Sequence, residues 1–356
     1  MRSVNEAQRA YIVGIYYGFL EARLLEQAEI CRFATVRNDM AYSGNPKDYS
    51  VAVLYGGTSG EREVSLNSGA CCGEALKELG FSVTMIDPAS RDDLKKLVEE
   101  EFDVAFLALH GKGGEDGTLQ GFLETLGIPY TGSGILSSAI AVNKAKSKEC
   151  YEDAGLRVAA SVVVGRNDVL DSEDLKEIEE TCGIPCVVKP TTEGSSLGMT
   201  IVRDASQIQP ALDVAFQVDD EAMVEQFIEG IELTVGVVGN DSYEALPVIQ
   251  IVPNDDEFYN YHAKYAAGGS THLCPAPLDE DTTQKVQDMA IAAHAVLGCR
   301  GISRTDIMLD KEGDCWILET NTLPGMTKTS LIPDAARVVG MDFPRVCEKL
   351  IELALS

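Results

Sequence analysis

The chain runs to 356 residues, too long for one ordinary domain and suited to two or three with sizeable cores. Its 57 acidic side chains against 29 basic ones leave a formal net charge of −28, which repels nucleic acid and anionic lipid, and no apolar run approaches the ~18 residues that cross a bilayer. Polynucleotide partners and membrane spans are thereby set aside, and any anionic ligand has to be met by a few Lys, Arg or metal ions gathered in one place.

Residues 1–49 form an extension with its own character. An amphipathic stretch predicts a helix over 5–33, followed by a polar Asn/Ser/Gly/Pro segment to 49. The apolar run 10–20 imitates the core of a secretory signal, but Glu21, Arg23 and Glu26 follow at once and no A-x-A cleavage pattern appears. The segment reads equally as a helical, partner-binding arm and as sequence upstream of a start at Met40. The ten cysteines include no C-x-x-C pair, which favours reduced thiols buried in a cytoplasmic protein over zinc, redox or disulfide chemistry.

From Ser50 the pattern becomes strand, Gly-rich turn, helix and strand. Strands are predicted over 51–55, 82–86 and 104–109 and a helix over 65–79, the opening of a doubly wound α/β domain spanning 50–134. Its ligands belong in the loops at the carboxyl ends of the strands, here 56–63 and 110–117. A second region, 135–226, carries a helix over 145–153 and strands over 160–164 and 186–189. A third, 227–356, has strands over 232–238, 246–251, 301–309 and 314–319 with closing helices, an α+β pattern without internal repeats.

The strongest local signal lies in that third region. Arg304 and Asp306 alternate along one predicted strand, and Glu319 and Asn321 end the next. If the two strands are antiparallel neighbours, Asp306, Glu319 and Asn321 make a cluster of hard oxygens such as Mg²⁺ accepts, completed by phosphate and water, with Arg304 facing the same pocket. The loop Pro324-Gly325-Met326-Thr327 leads through Ser330 and Leu331 into a helix over 332–339, whose first N–H groups suit a carboxylate or an oxyanion; a plain Pro-Gly turn is the bland alternative. In the middle region Lys189 ends an apolar strand before the Gly/Ser loop 191–198, a lysine placed to meet phosphate, although no Walker A pattern exists and Gly/Ser hairpins are common. The turn 56–63 offers backbone donors and Glu61 for an ammonium, or else an ordinary helix cap with Ser59 as cap and Glu63 in the first turn.

Together these segments resemble the D-alanine–D-alanine ligase family of the ATP-grasp superfamily. The matching pieces are GGTSGEREVSLNSG (56–69), LALHGKGGEDGTLQGFLETLGIPYTGSG (107–134), VVKPTTEGSSLGM (187–199), FYNYHAKY (258–265) and GISRTDIMLD through LETNTLPGMTKTSL (301–331), in order over about 50–356. The resemblance implies a three-domain ATP-grasp architecture: a preATP-grasp domain over 50–134, a central subdomain over 135–226 and a catalytic subdomain over 227–356. It implies that Lys144 and Lys189 bind phosphates, that Glu225, Phe227 and Ile228 contact adenine, and that Glu232 binds the ribose. Asp306, Glu319 and Asn321 would ligate two Mg²⁺, for which Mn²⁺ can substitute. Glu61 would hold the first D-alanine's ammonium with His110 beside it, and Ser195 and Tyr265 would close the site on Glu61. Arg304 and the Gly325 N–H would bind the tetrahedral intermediate, and Lys264, Ser330 and Leu331 would receive the second substrate's carboxylate. A cytoplasmic homodimer with ATP and D-alanine as substrates is implied as well.

Two departures stand out: Gln226, where many relatives carry lysine, and the extension, which has no counterpart in the family pattern. The nearest alternative is a relative making D-alanyl-D-lactate or D-alanyl-D-serine. Tyr265 in a full-length loop argues for the dipeptide, since the lactate enzymes resemble one another in a shorter loop with histidine there. A non-catalytic nucleotide-binding shell would be expected to have lost the metal or oxyanion positions, and all are present.

Overall fold

The computed structural model describes residues 42–253 and 270–356, and the fold is that of the unit Gly44–Ser356. The helix expected over 5–33 lies outside the described residues. Three sheets carry the chain.

The first is parallel and built from β1 (Ser50–Leu54), α1 (Arg62–Leu79), β2 (Ser82–Ile86), α2 (Arg91–Glu99), β3 (Val104–Leu107) and α3 (Thr118–Leu126), with strand order β2-β1-β3. Apolar residues run almost unbroken through β1 and β3 because both faces are covered, Leu54, Ile86 and Leu107 packing with Leu97, Leu119 and Leu123. Helix α1 begins at Arg62 rather than 65. Glu61 takes the N-cap position without a side-chain capping bond, and Ser59 is engaged elsewhere.

The second is antiparallel. Helices α4 (Ile135–Val142) and α5 (Lys144–Asp153) lead into β4 (Ser161–Gly165), α6 (Ser172–Cys182), β5 (Cys186–Pro190), β6 (Thr200–Val202), α7 (Ile208–Ala215) and β7 (Glu221–Gln226), the strands in the order β4-β7-β5-β6. Its core packs Val188, Val202 and Val224 against Ile178 of α6 and Leu212 of α7.

The third, also antiparallel, holds β8 (Gly230–Gly239), β9 (Glu244–Ala245), β10 (Ile249–Pro253), β11 (Ser270–Leu273), then α8 (Glu280–Val296), β12 (Gly301–Asp310) and β13 (Cys315–Asn321), before α9 (Leu331–Val338) and α10 (Phe343–Ala354) close the chain. Strand order is β11-β10-β8-β12-β13 with β9 on β8. Strand β10 starts three residues later than the 246 expected: Leu246 still donates to the Gly236 carbonyl, but Pro247 has no N–H to continue a ladder. No helix among the described residues is long and apolar enough to cross a membrane.

Helix α1 approaches β1 closely enough to require a glycine. A Cβ on Gly69 would overlap Tyr55 Cβ and stand 2.8 Å from its Cγ, whereas one on Gly60 would meet nothing within 4 Å. Alanine would gain ~1 kcal/mol of helix propensity at position 69, less than the overpacking removes. Gly69→Ala is expected to lower unfolding stability by about 2 kcal/mol in urea titration, while Gly60→Ala stays within ~0.5 kcal/mol of wild type.

Candidate active site

A cleft lies between the second and third sheets. Lys189 and Glu225 meet at its base because β5 and β7 pair with Val187 opposite Glu225, which sets Lys189 diagonally across on the same face. Lys189 Nζ is 2.5 Å from Glu225 Oε1, and the other carboxylate oxygen accepts from Lys148 Nζ of α5 at 2.7 Å. Burial alone would raise the Glu225 carboxyl, but Lys189 and Lys148 hold it below its ordinary value. Glu225 thus lines the cleft with both carboxylate oxygens already given to lysines. Lys148 was not singled out by sequence; its signal is the i, i+4 spacing from Lys144 on one helix face.

Apolar side chains face the cleft from both sheets, Val187 and Ile201 from one and Met308 and Leu318 from the other. Phe227, Ile228 and Glu232 line it, as do Lys144, Asp306 and Glu319, so the six residues expected to meet the nucleotide and its phosphates share one cavity with the acidic pair.

At the cleft's inner end β12 and β13 pair antiparallel with Asp306 opposite Glu319 and Arg304 opposite Asn321. All four side chains therefore share a face. Arg304 grips Asp306 through two bonds, Nε to Oδ1 at 2.9 Å and Nη2 to Oδ2 at 2.8 Å; Thr234 Oγ1 donates to Asp306 at 2.6 Å and Asn321 Nδ2 lies 3.3 Å away. Lys144 Nζ is 3.6 Å from Glu319 Oε2 and donates to the Glu193 carbonyl at 2.6 Å. The donor set fits a hard cation: two carboxylates and an amide oxygen on one face. Among the described residues no three acidic, His or Cys side chains converge on a point, so a cation here would need phosphate oxygens and water to complete its shell. Thr234 is a further residue sequence reasoning passed over, two places beyond Glu232 on β8.

Beyond Glu319 a second cavity opens between the parallel domain and the third sheet, lined by Glu61, His110, Ser195, Arg304, Asn321, Gly325, Ser330 and Leu331. Two strand-end turns are tied together at its rim. Ser59 Oγ donates to the His110 carbonyl at 2.6 Å and accepts from the Glu61 N–H, and the His110 N–H donates to Ser65 Oγ at 2.9 Å. Ser195 donates its hydroxyl to Glu61 Oε1, from a loop in which Ser195 and Ser196 hold φ of 53° and 59°, a left-handed conformation costly for residues with a Cβ. The Glu61 carboxylate is enclosed so closely that a Cβ on Gly111 would stand 2.9 Å from Oε2.

The imidazole of His110 is buried and committed on both sides. Nδ1 lies 3.1 Å from the Leu323 carbonyl, which can only accept, so Nδ1 carries the proton and Nε2 accepts from Ser68 Oγ at 2.9 Å. Burial holds it below its ordinary value, against the pull of Glu61. At the far wall Ser330 is the N-cap of α9 with no side-chain capping bond, its hydroxyl turned back to accept from the Thr327 N–H at 3.0 Å, and the start of the helix at Ser330 and Leu331 lines the cavity with Gly325. Lys264 and Tyr265 lie outside the described residues.

Glu115, within the quoted HGKGGEDG stretch but assigned no role by sequence, also lines this cavity and accepts from the Gly111 N–H at 2.7 Å. Burial, with Glu61 adding, pushes its carboxyl up to about 8.

Gripping a nucleotide between two antiparallel sheets, one of which also presents the acidic pair to its phosphates, is how an ATP-grasp ligase works, and this fold is of that class. A family model described as "D-ala D-ala ligase C-terminus" matches residues 150–352, and one described as "D-ala D-ala ligase N-terminus" matches 87–133. The chain is 49% identical over 310 residues to the D-alanine–D-alanine ligase of Syntrophobacter fumaroxidans, covering 86% of this chain and 98% of that protein. It is 45% identical over 309 residues to the corresponding ligase of Pelotomaculum thermopropionicum, covering 86% and 96%. Among solved structures it is similar to a D-alanine–D-alanine ligase from Bacillus anthracis complexed with ATP, with a TM-score of 0.75 and 31% identity over 86% of this chain and 97% of that one. The chain belongs to the D-alanine–D-alanine ligase family.

The carboxyl of Glu115 makes stability depend on pH in a direction opposite to that of a salt-bridged acid. Its folded-state value of about 8 stands above the ordinary 4.5, so it contributes stability that is complete below pH 4.5 and lost as pH rises through 8. Glu115→Gln is expected to melt like wild type near pH 4.5 and higher at pH 8.5, by on the order of 1 kcal/mol or roughly 2–4 °C. Equal melting temperatures across the range in calorimetry would refute this.

Proposed function

We propose that this protein joins two D-alanines into D-alanyl-D-alanine for peptidoglycan precursor synthesis, converting ATP to ADP and phosphate through a D-alanyl phosphate. What carries the reading is the adjacency of three features: the Asp306–Glu319 face at the phosphate end of the cleft, the Glu61–Ser195 clamp, and the uncapped start of α9 beside Gly325.

The residues divide the work by charge. Lys189 and Lys144 hold the phosphates while the first D-alanine, its ammonium on Glu61, presents its carboxylate to the γ-phosphorus; an oxygen–phosphorus bond forms and ADP leaves. The second D-alanine, its carboxylate on the N–H groups at Ser330 and Leu331, then attacks the acyl carbon with its amine. Arg304 and the Gly325 N–H take the developing oxyanion, which collapses with loss of phosphate. Asp306, Glu319 and Asn321 would hold two Mg²⁺, or Mn²⁺, whose part is to neutralise phosphate charge. The acyl phosphate survives only if water is kept out, and the Ser195 loop bonded to Glu61 contributes to that closure. Family resemblance further supports a cytoplasmic homodimer. Sedimentation as a monomer would overturn the latter.

The test is phosphate release from Mg·ATP with D-alanine or L-alanine, the product being identified by mass. Release is expected with D-alanine alone, with the dipeptide formed, and Glu319→Gln should slow it by at least about a hundredfold. Adding D-lactate or D-serine distinguishes the depsipeptide and mixed-dipeptide ligases, since a product containing either in preference to D-alanine would replace the dipeptide reading. ATP binding without D-alanine-dependent release would leave a non-catalytic shell.

A further inference from the structure

Lys148 is a buried ammonium that does not itself line the cleft. Its side chain is 6% exposed, it is absent from the cleft lining, and its Nζ donates to Glu225 Oε2 at 2.7 Å. The three charges run in series from behind the cleft wall: Lys148, then Glu225, then Lys189, the latter two lining the cleft. Glu152, one turn further along α5, is exposed and solvated. Two ammonium groups thus share one buried carboxylate. Burial draws Lys148 below the ordinary lysine value, so keeping it charged there is costly.

We propose that Lys148 is a positioning residue for phosphate binding: by sharing Glu225 it keeps that carboxylate from neutralising Lys189, which then presents an uncompensated positive charge to the nucleotide's phosphates. With Lys189 and Glu225 alone the pair is neutral, and a phosphate would have to compete with Glu225 for the ammonium. With Lys148 present, the group carries one positive charge, and Lys189 is its end that faces the cleft. The shared carboxylate also fixes where Lys189 Nζ stands, because Glu225 Oε2 is anchored from behind and Oε1 is left for Lys189.

The inference rests on the nucleotide reading of the cleft, and binding measurements separate the two. Full-length wild type, Lys148→Met and Lys148→Gln are titrated calorimetrically with Mg·ATP and Mg·ADP, and adenosine binding is followed by competition NMR. Lys148→Met removes the charge and keeps the volume; Lys148→Gln keeps a donor for Glu225 and carries the test should the methionine variant not fold. Both are expected to bind Mg·ATP and Mg·ADP more weakly by on the order of tenfold and to bind adenosine as wild type does; the methionine variant is expected to unfold earlier, because buried Glu225 Oε2 loses the Lys148 donor while Lys189 holds the other oxygen. In turnover the KM for ATP should rise while that for D-alanine stays put. Unchanged ATP affinity in both variants, or adenosine weakened as much as ATP, would overturn the proposal; a wild type that binds no ATP would overturn the nucleotide reading itself.

Discussion

A protein carrying 57 acidic residues has to hold a polyphosphate against its own field. The cations at and behind the cleft are tied to carboxylates before any ligand arrives: Lys148 and Lys189 on Glu225, Arg304 on Asp306, and Lys144 beside Glu319. Buried pairs of this kind add little to stability, because desolvation offsets most of the Coulombic gain. Their value is in order. Each side chain is already in place, so charge appearing in a reaction meets dipoles and ions that need not reorganise.

That arrangement depends on strand register. The ten-residue ladder of β12 with β8, from Gly301 opposite Gly239 to Asp310 opposite Gly230, fixes Asp306 opposite Thr234, and the β12–β13 pairing fixes it opposite Glu319. A slip of one residue would turn Asp306 and Arg304 to the other face. The apolar residues Leu233, Val235, Val237 and Ile307 lie in the core with Val286 and Ala290 of α8, which makes such a slip expensive and lets the polar face be spent on chemistry.

Much of this could be read from sequence because the relevant strands alternate cleanly. Arg304-Thr305-Asp306 and Glu319-Thr320-Asn321 announce their shared face, and the structure gives the antiparallel neighbourhood the reading needed. What sequence does not disclose is what a face meets. Lys148 sits one turn from Lys144, a spacing equally suited to a solvated helix surface, and only the tertiary fold turns it onto Glu225. Ser59 looked like a helix cap by type and position, yet its hydroxyl reaches 51 residues along the chain to the His110 carbonyl. Ser68 is likewise an unremarkable helical serine until His110 is laid against it. Strand β10 moved because one proline lacks a donor, a local fact that alternation in hydrophobicity overrode. The roles expected of Lys264 and Tyr265 concern residues outside those described.

The substrate cavity shows a second use of burial. Two carboxylates as close as Glu61 and Glu115 repel each other if both are ionised. Glu61 and Glu115 both line this cavity, and the pair is resolved by keeping Glu115 protonated to about pH 8, with the Gly111 N–H on one oxygen. His110 is kept neutral by the same burial and spends both nitrogens on Leu323 and Ser68, so it adds shape to the pocket without adding charge. The Glu61 carboxylate, bonded to the Ser195 hydroxyl, is directed by shape as well as by charge, since Gly111 and Gly194 each lie too close to it for a Cβ without displacement.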